Sequence, residues 1–307
     1  MRQTTTTPLD ALGMGIIPLD YLAAIPRFPE LGGKADATHM TVQGGGPVPN
    51  AMVGLARMGC RTAVIAAIGD DHPGQVLLAE LAREGVETAH MIVKKRTPSA
   101  TAYGFIEPDG RRTIVLHRRI FIEPRDLRLS HYPVPRVLHL DGRDIEATVR
   151  LARWGKRAGA TVTFDIGSMR NDVTPVLPLV DHLVVADSWA LPYTGERETP
   201  RALARLAEIC GGTVVITEGI RGATGLEAGR RSHHPAYRIE AVDTTGAGDA
   251  FHAGYLYGLL RGKDMAERLR LGSAAAALKC TRPGARGGMP TLSQLRKFLQ
   301  RPPETYA

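Results

Sequence analysis

Asp243-Thr244-Thr245-Gly246-Ala247-Gly248-Asp249-Ala250-Phe251 is the stretch from which the fold is read. It follows a strand-like run, Tyr237 to Val242, and opens an apolar helical pattern in which Phe251, Gly254, Tyr255 and Leu259 recur. Two glycines around an alanine at a helix start let successive N–H groups converge on one point, and the helix dipole adds positive potential there. An anion cradle is the consequence. A carboxylate beside a bound phosphate is repelled by it, so the chemical use of Asp249 is to take a proton from an attacking hydroxyl. Taken alone, the same residues also read as a glycine turn with Asp249 as an acidic helix-start residue.

Outward from this segment, strand-length apolar runs alternate with helical periods. Strands are expected at Leu9 to Ile17, Thr62 to Ile68, Val137 to Leu140, Thr161 to Asp165, Leu183 to Ala186 and Thr213 to Thr217. Helices are expected at Asn50 to Met58, Gly74 to Glu84, Ile145 to Arg157 and Pro200 to Ile209. Ala247 to Lys279 reads as two helices broken near Gly262-Lys263-Asp264. Repeated βα units imply an α/β fold, a mostly parallel sheet flanked by helices. Two regions depart from it. Thr101 to Leu116 alternates around Pro108-Asp109-Gly110, a hairpin signal, and Tyr21 to Gln43 is Gly-, Pro- and charge-rich. Together they predict a small β lid, about residues 18–44 and 97–119, on a single domain spanning 1–307.

Other phosphate motifs fail. Gly262-Lys263 is followed by Asp264 and Gly33-Lys34 by Ala35, so there is no P-loop, and Pro18 stands where a dinucleotide fingerprint after Gly13-Met14-Gly15 needs its third glycine.

Asp243 to Asp249 resembles the C-terminal signature of the ribokinase/PfkB carbohydrate kinases, and Gly44-Gly45-Gly46-Pro47-Val48-Pro49-Asn50-Ala51 resembles their N-terminal diglycine signature, followed by Gly59 and Gly69-Asp70-Asp71. The resemblance covers roughly residues 10–300 and implies a ribokinase-like fold. It implies an ATP-dependent kinase acting on a sugar primary hydroxyl, with Mg²⁺. Asp249 would be the base, and Gly246, Ala247 and Gly248 would hold the transferred phosphoryl group. Asp20, Gly45, Gly46 and Asn50 would bind the sugar. Thr217, Gly219 and Gly222 would border the nucleotide, with Ala276 and Cys280 near the adenine and Asp243 and Thr245 available to a monovalent cation such as K⁺. Where many relatives carry Asn-x-x-Glu, this chain has Ala186-Asp187-Ser188-Trp189, leaving Asp187 as a partial stand-in on the cofactor side. Arg112 to His117, His139 to Arg143 and Ala277 to Gly284 look like the ketohexokinase and bacterial sulfofructose kinase members, which implies a ketose or ketose derivative. A nucleoside kinase of the same family and a non-catalytic sugar- or nucleotide-binding protein are the alternatives.

Charge sharpens the substrate expectation. The chain has 307 residues, with 39 Lys+Arg against 31 Asp+Glu, a formal net charge of +8. His117, Arg118, Arg119 and Arg143 are expected to converge at the sugar pocket and to match an anionic sugar. The basic residues are scattered and no nucleic-acid motif occurs, so no nucleic-acid partner is expected. No apolar run reaches the ~18–20 residues of a membrane span, and the start, Met1-Arg2-Gln3 followed by threonines, lacks a signal-peptide core. Cys60, Cys210 and Cys280 give neither a disulfide framework nor a zinc site. A cytoplasmic protein pairing through its apolar lid is the expectation.

Overall fold

The computed structural model describes residues 9–108, 110–167 and 171–306. The expected turn residue Asp109 and the N-terminal segment read for export therefore lie outside the described residues. The strands are β1 (Ala11–Met14), β2 (Leu19–Ala24), β3 (His39–Gly44), β4 (Thr62–Ile65), β5 (Ala67–Gly69), β6 (Ile92–Lys94) and β7 (Thr101–Ile106). They continue with β8 (Arg112–His117), β9 (Val137–Leu140), β10 (Thr161–Ile166), β11 (His182–Ala186), β12 (Thr213–Thr217), β13 (Ala223–Glu227) and β14 (Arg230–His234). The helices are α1 (Pro47–Arg57), α2 (His72–Arg83), α3 (Ile145–Ala158), α4 (Asp187–Thr194), α5 (Thr199–Cys210), α6 (Ala247–Leu260), α7 (Met265–Cys280) and α8 (Leu292–Gln300).

The main sheet has the order β14-β13-β12-β11-β10-β9-β1-β4. From β12 to β4 every pairing is parallel, and β13 and β14 close one edge antiparallel. Strands such as β9 and β1 are buried along their whole length because helices cover both faces, so they read as continuous apolar runs. The ribokinase-like α/β fold is the one expected.

A second sheet, β3-β2-β7-β8, is built from two separate pieces of chain. In register, Tyr21 lies opposite both Val42 and Tyr103, and Tyr103 opposite Val115. Because side chains alternate, this row shares one face, while Asp20, Leu22, Ala102 and Ile114 point from the other into the central cavity.

Two expectations are corrected, and one hairpin is added. Tyr237 to Val242 is not a strand: it makes a single bridge, Tyr237 to Thr305, and its backbone donors go elsewhere, Arg238 N–H to the Glu304 carbonyl and Val242 N–H to the Cys280 carbonyl at the end of α7. Thr62 to Ile68 is two strands, β4 in the main sheet and β5 paired with β6. β13 and β14 were not expected at all; they join through Ala228 (φ 47°) and Gly229 (φ 75°), both left-handed as a two-residue hairpin turn demands.

Candidate active site

The parallel strands end at a common edge, where open α/β sheets gather their ligand groups. β9 delivers Asp141, β10 ends at Asp165 and Ile166, β11 at Ala186 and β12 at Thr217, all lining one cavity of about 640 Å³. Two helix starts face it. α1 begins after Gly46 (φ 94°) and α6 after Gly246 (φ 79°), neither helix having a side-chain cap. The first-turn N–H groups of α6 therefore have no carbonyl of their own helix to meet, and a Gly248 side chain would have nothing within 4 Å. This helix start is where the sequence reading expects the anion cradle.

Asn50 in the first turn of α1 donates to Asp249 Oδ2 of α6 at 2.7 Å, a bond across 199 residues. Its Oδ1 accepts Arg286 Nε at 2.9 Å. Asn50, expected to bind sugar, is thus engaged in orienting Asp249 while it lines the cavity. Burial raises Asp249 to about 6, helped by the charge of Asp165 and opposed by the Asn50 bond. A base that ionises near neutrality is suited to collecting a hydroxyl proton.

Gly45 lies against Asp20: a Cβ there would stand 2.1 Å from Asp20 Oδ2, so only glycine lets this carboxylate approach. Burial raises Asp20 to about 7, against Arg286 and with the help of Asp249 and Glu80. Asp141, which sequence reasoning did not single out, accepts the N–H groups of Ile16 at 2.9 Å and Arg143 at 3.0 Å, and burial still raises it to about 7. Beside Asp249, Asp165 pairs with His252 at 3.2 Å, and the His139 ring lies tilted against that of His252 with ring centroids 5.1 Å apart. Burial pushes His139 down to about 3, with His252 adding to the effect.

A second cavity of about 290 Å³ adjoins the first, sharing Thr217, Thr244, Ala247 and Gly248 with it. Gly219, Gly222, Ala276 and Cys280 line this apolar slot, so the expected nucleotide residues come together on the far side of the cradle.

Other expected residues are placed differently. His117 is exposed on the lid edge and is absent from the cavity wall. Arg118 is held by the Asp144 carboxylate at 2.5 Å and lies over the Phe121 ring. Arg119 is exposed, whereas Arg112 of β8 does line the cavity with Arg143. The cation cluster is therefore Arg112 and Arg143, because side chains alternate along β8: Arg112, Ile114 and Leu116 face the cavity, and His117, the last residue of the strand, falls on the outer face with Val115. Asp187 bonds Arg221 at 2.7 Å, so its carboxylate is already partnered.

A model of the pfkB family carbohydrate kinases matches residues 14–292. The chain belongs to that family. It is a carbohydrate kinase, a phosphotransferase with an alcohol acceptor. Among curated relatives, the ribokinase of Haemophilus influenzae is 26% identical, with 98% of this chain and 99% of that protein covered. A fructokinase of Klebsiella pneumoniae is 29% identical over 83% of this chain and 91% of its own length. The fold matches that of Arabidopsis thaliana ribokinase, solved with ribose and ATP, with a TM-score of 0.82 at 24% identity, covering 96% of this chain and 99% of the other. Among the described residues of this kinase, no helix is long and apolar enough to cross a membrane.

Proposed function

We propose that this carbohydrate kinase transfers the γ-phosphoryl group of ATP to a primary hydroxyl of a ketose or ketose derivative carrying an anionic group. The observation that carries the reading is the junction of two cavities at one cradle. The polar chamber beside Asp20, Asp141 and Asp249 suits a polyhydroxylated acceptor, and the apolar slot beside Ala276 and Cys280 suits a flat base. Their shared wall at Thr244, Ala247 and Gly248 is where a transferred phosphoryl group would lie, with first-turn N–H groups of α6 for its developing charge. Asp249, held by Asn50, accepts the hydroxyl proton. Asp20 and Asp141 accept hydrogen bonds from the sugar, and the lid strands β2 and β7 exclude water above it. Mg²⁺ would neutralise phosphate charge and travel with the nucleotide; Asp187, bound to Arg221, fits a direct ligand role poorly. The three cysteines are free and buried, consistent with work in the reducing cytoplasm.

Arg112 and Arg143 support the anionic substrate, since guanidinium forks match a sulfonate or phosphate and gain from the net charge of +8. A panel of ketoses, aldoses, nucleosides and their sulfo and phospho forms tests this. The kcat/KM for a sulfo- or phospho-ketose is expected to exceed that for fructose by at least about tenfold, and Arg143→Ala is expected to erase most of that preference while sparing fructose. Equal turnover of fructose, or a nucleoside outranking every ketose, overturns it.

The outer lid face supports pairing with a second copy of this chain. Val42, Tyr103 and Val115 are exposed there at 54%, 47% and 58%, in one row across the sheet. Such a face on a four-stranded sheet is a natural partner for its own copy in a two-fold dimer. Sedimentation at tens of micromolar is expected to give a dimer that Tyr103→Lys dissociates; a monomeric wild type refutes it.

A further inference from the structure

Lys279 has 0% of its surface exposed, near the end of α7. Its ammonium donates to the Asp243 carbonyl oxygen at 2.5 Å, approaches the Arg282 carbonyl at 3.4 Å and lies 3.8 Å from Asp243 Oδ2. The Asp243 carboxylate in turn accepts the N–H groups of Thr245 and Gly284, each at 2.8 Å. One buried charge thus joins the segment leading into the cradle to the turn after α7. Space is reserved for it: a Cβ on Gly288 would stand 3.1 Å from Lys279 Cε and 3.2 Å from its Cγ. Burial pulls the ammonium below its ordinary value and Asp243 opposes this. Burying an ammonium costs several kcal/mol, so the protein keeps it where its oxygen partners are already arranged.

Carbonyl and carboxylate oxygens around a single positive charge are what a monovalent ion such as K⁺ would seek at Asp243 and Thr245. The residues present do not fit that ion, because the lysine ammonium, similar to K⁺ in charge and size, already takes those oxygens. We infer that Lys279 is a tethered cation: it supplies beneath the cradle the charge a bound monovalent ion would bring, and the kinase works without one. Lys279 is a positioning residue, holding Thr244 to Gly248 in shape and adding positive potential behind the phosphoryl group.

The test compares wild type and Lys279→Ala in tetramethylammonium chloride and KCl at equal ionic strength, by turnover and by melting midpoint. Wild-type kcat is expected to differ by less than about twofold, with no K⁺-specific rise in midpoint. Lys279→Ala is expected to lose about tenfold or more in tetramethylammonium and to regain activity and midpoint saturably with K⁺ or NH₄⁺. A purely structural lysine would give no such rescue. Wild type that requires K⁺, or a variant that loses nothing or is not rescued, overturns the inference. Should Lys279→Ala not fold, the wild-type comparison decides. The melting arm needs no acceptor sugar, so a wrong substrate class leaves it intact.

Discussion

Asp249→Asn is expected to lower kcat by about 10²–10⁴-fold while leaving nucleotide affinity nearly unchanged. Asparagine keeps the size, still accepts the Asn50 bond and sits equally well at the start of α6, but cannot take a proton. Wild-type kcat/KM should rise with pH through about 6, the value to which burial and Asp165 lift Asp249, since the ionised carboxylate is the working form. That limb should vanish in the variant. The same group makes a prediction about stability. A carboxyl whose folded value lies above its ordinary 3.8 stabilises the native state fully only below the unfolded value, and loses that contribution as pH rises through about 6. At pH 8 the ionised Asp249 is therefore a burden that the neutral amide removes. The free variant should melt above wild type at pH 8 and lose its advantage near pH 4. Retention of more than about a tenth of wild-type kcat refutes the base assignment.

Parts of the candidate site are legible in sequence and others are not. The cradle is local: Gly246 to Asp249 are consecutive, and backbone geometry is written in glycine. The diglycine start of α1 is equally local. β9 and β12 match their expected spans to the residue because buried parallel strands carry continuous apolar runs. The hairpin β13–β14 escaped because its turn uses Ala228-Gly229, and Arg230 and Arg231 hide any alternation. The charged framework escaped for a different reason. Asn50 and Arg286 meet across 236 residues, and Arg118 and Asp144 across 26, with no local pattern announcing either pair. Lys279 did leave a trace, standing four residues after Ala275 on the buried face of an alanine-rich helix, a place where a lysine needs a purpose. His117 misled because it is the last residue of β8, one step out of phase with Arg112, Ile114 and Leu116, so alternation sends it to the outer face.

Arg286→Met is the other large effect, expected to cost about 3–5 kcal/mol, because it withdraws the cation from a buried constellation and leaves its acids behind. Arg286 is 2% exposed; besides Asn50, it donates to the Gly45 carbonyl at 3.0 Å and pairs with Glu80 at 3.3 Å. Glu80 also accepts the Gly44 N–H at 2.6 Å, so Gly44 and Gly45, two of the three glycines before α1, are fixed by this pair. Methionine fills much of the volume without a charge. Glu80 is then stranded, and Asp20, which Arg286 now holds down, should climb further above about 7. A loss of this size lowers the melting midpoint by on the order of 10 °C in a chain of this length. Pairing the change with Glu80→Gln removes the stranded charge, so the double variant should recover part of the loss, a non-additivity reserved for groups in contact. Catalysis should not recover with it. Asn50 still lacks its anchor and Asp249 its orientation, and a displacement near 1 Å there can cost about 10²-fold in kcat/KM. Thermal melts and steady-state kinetics on both variants check the two claims separately: a single variant melting within about 2 °C of wild type denies the buried pair its structural weight, and a double variant with full kcat/KM breaks the proposed line from Arg286 through Asn50 to the base.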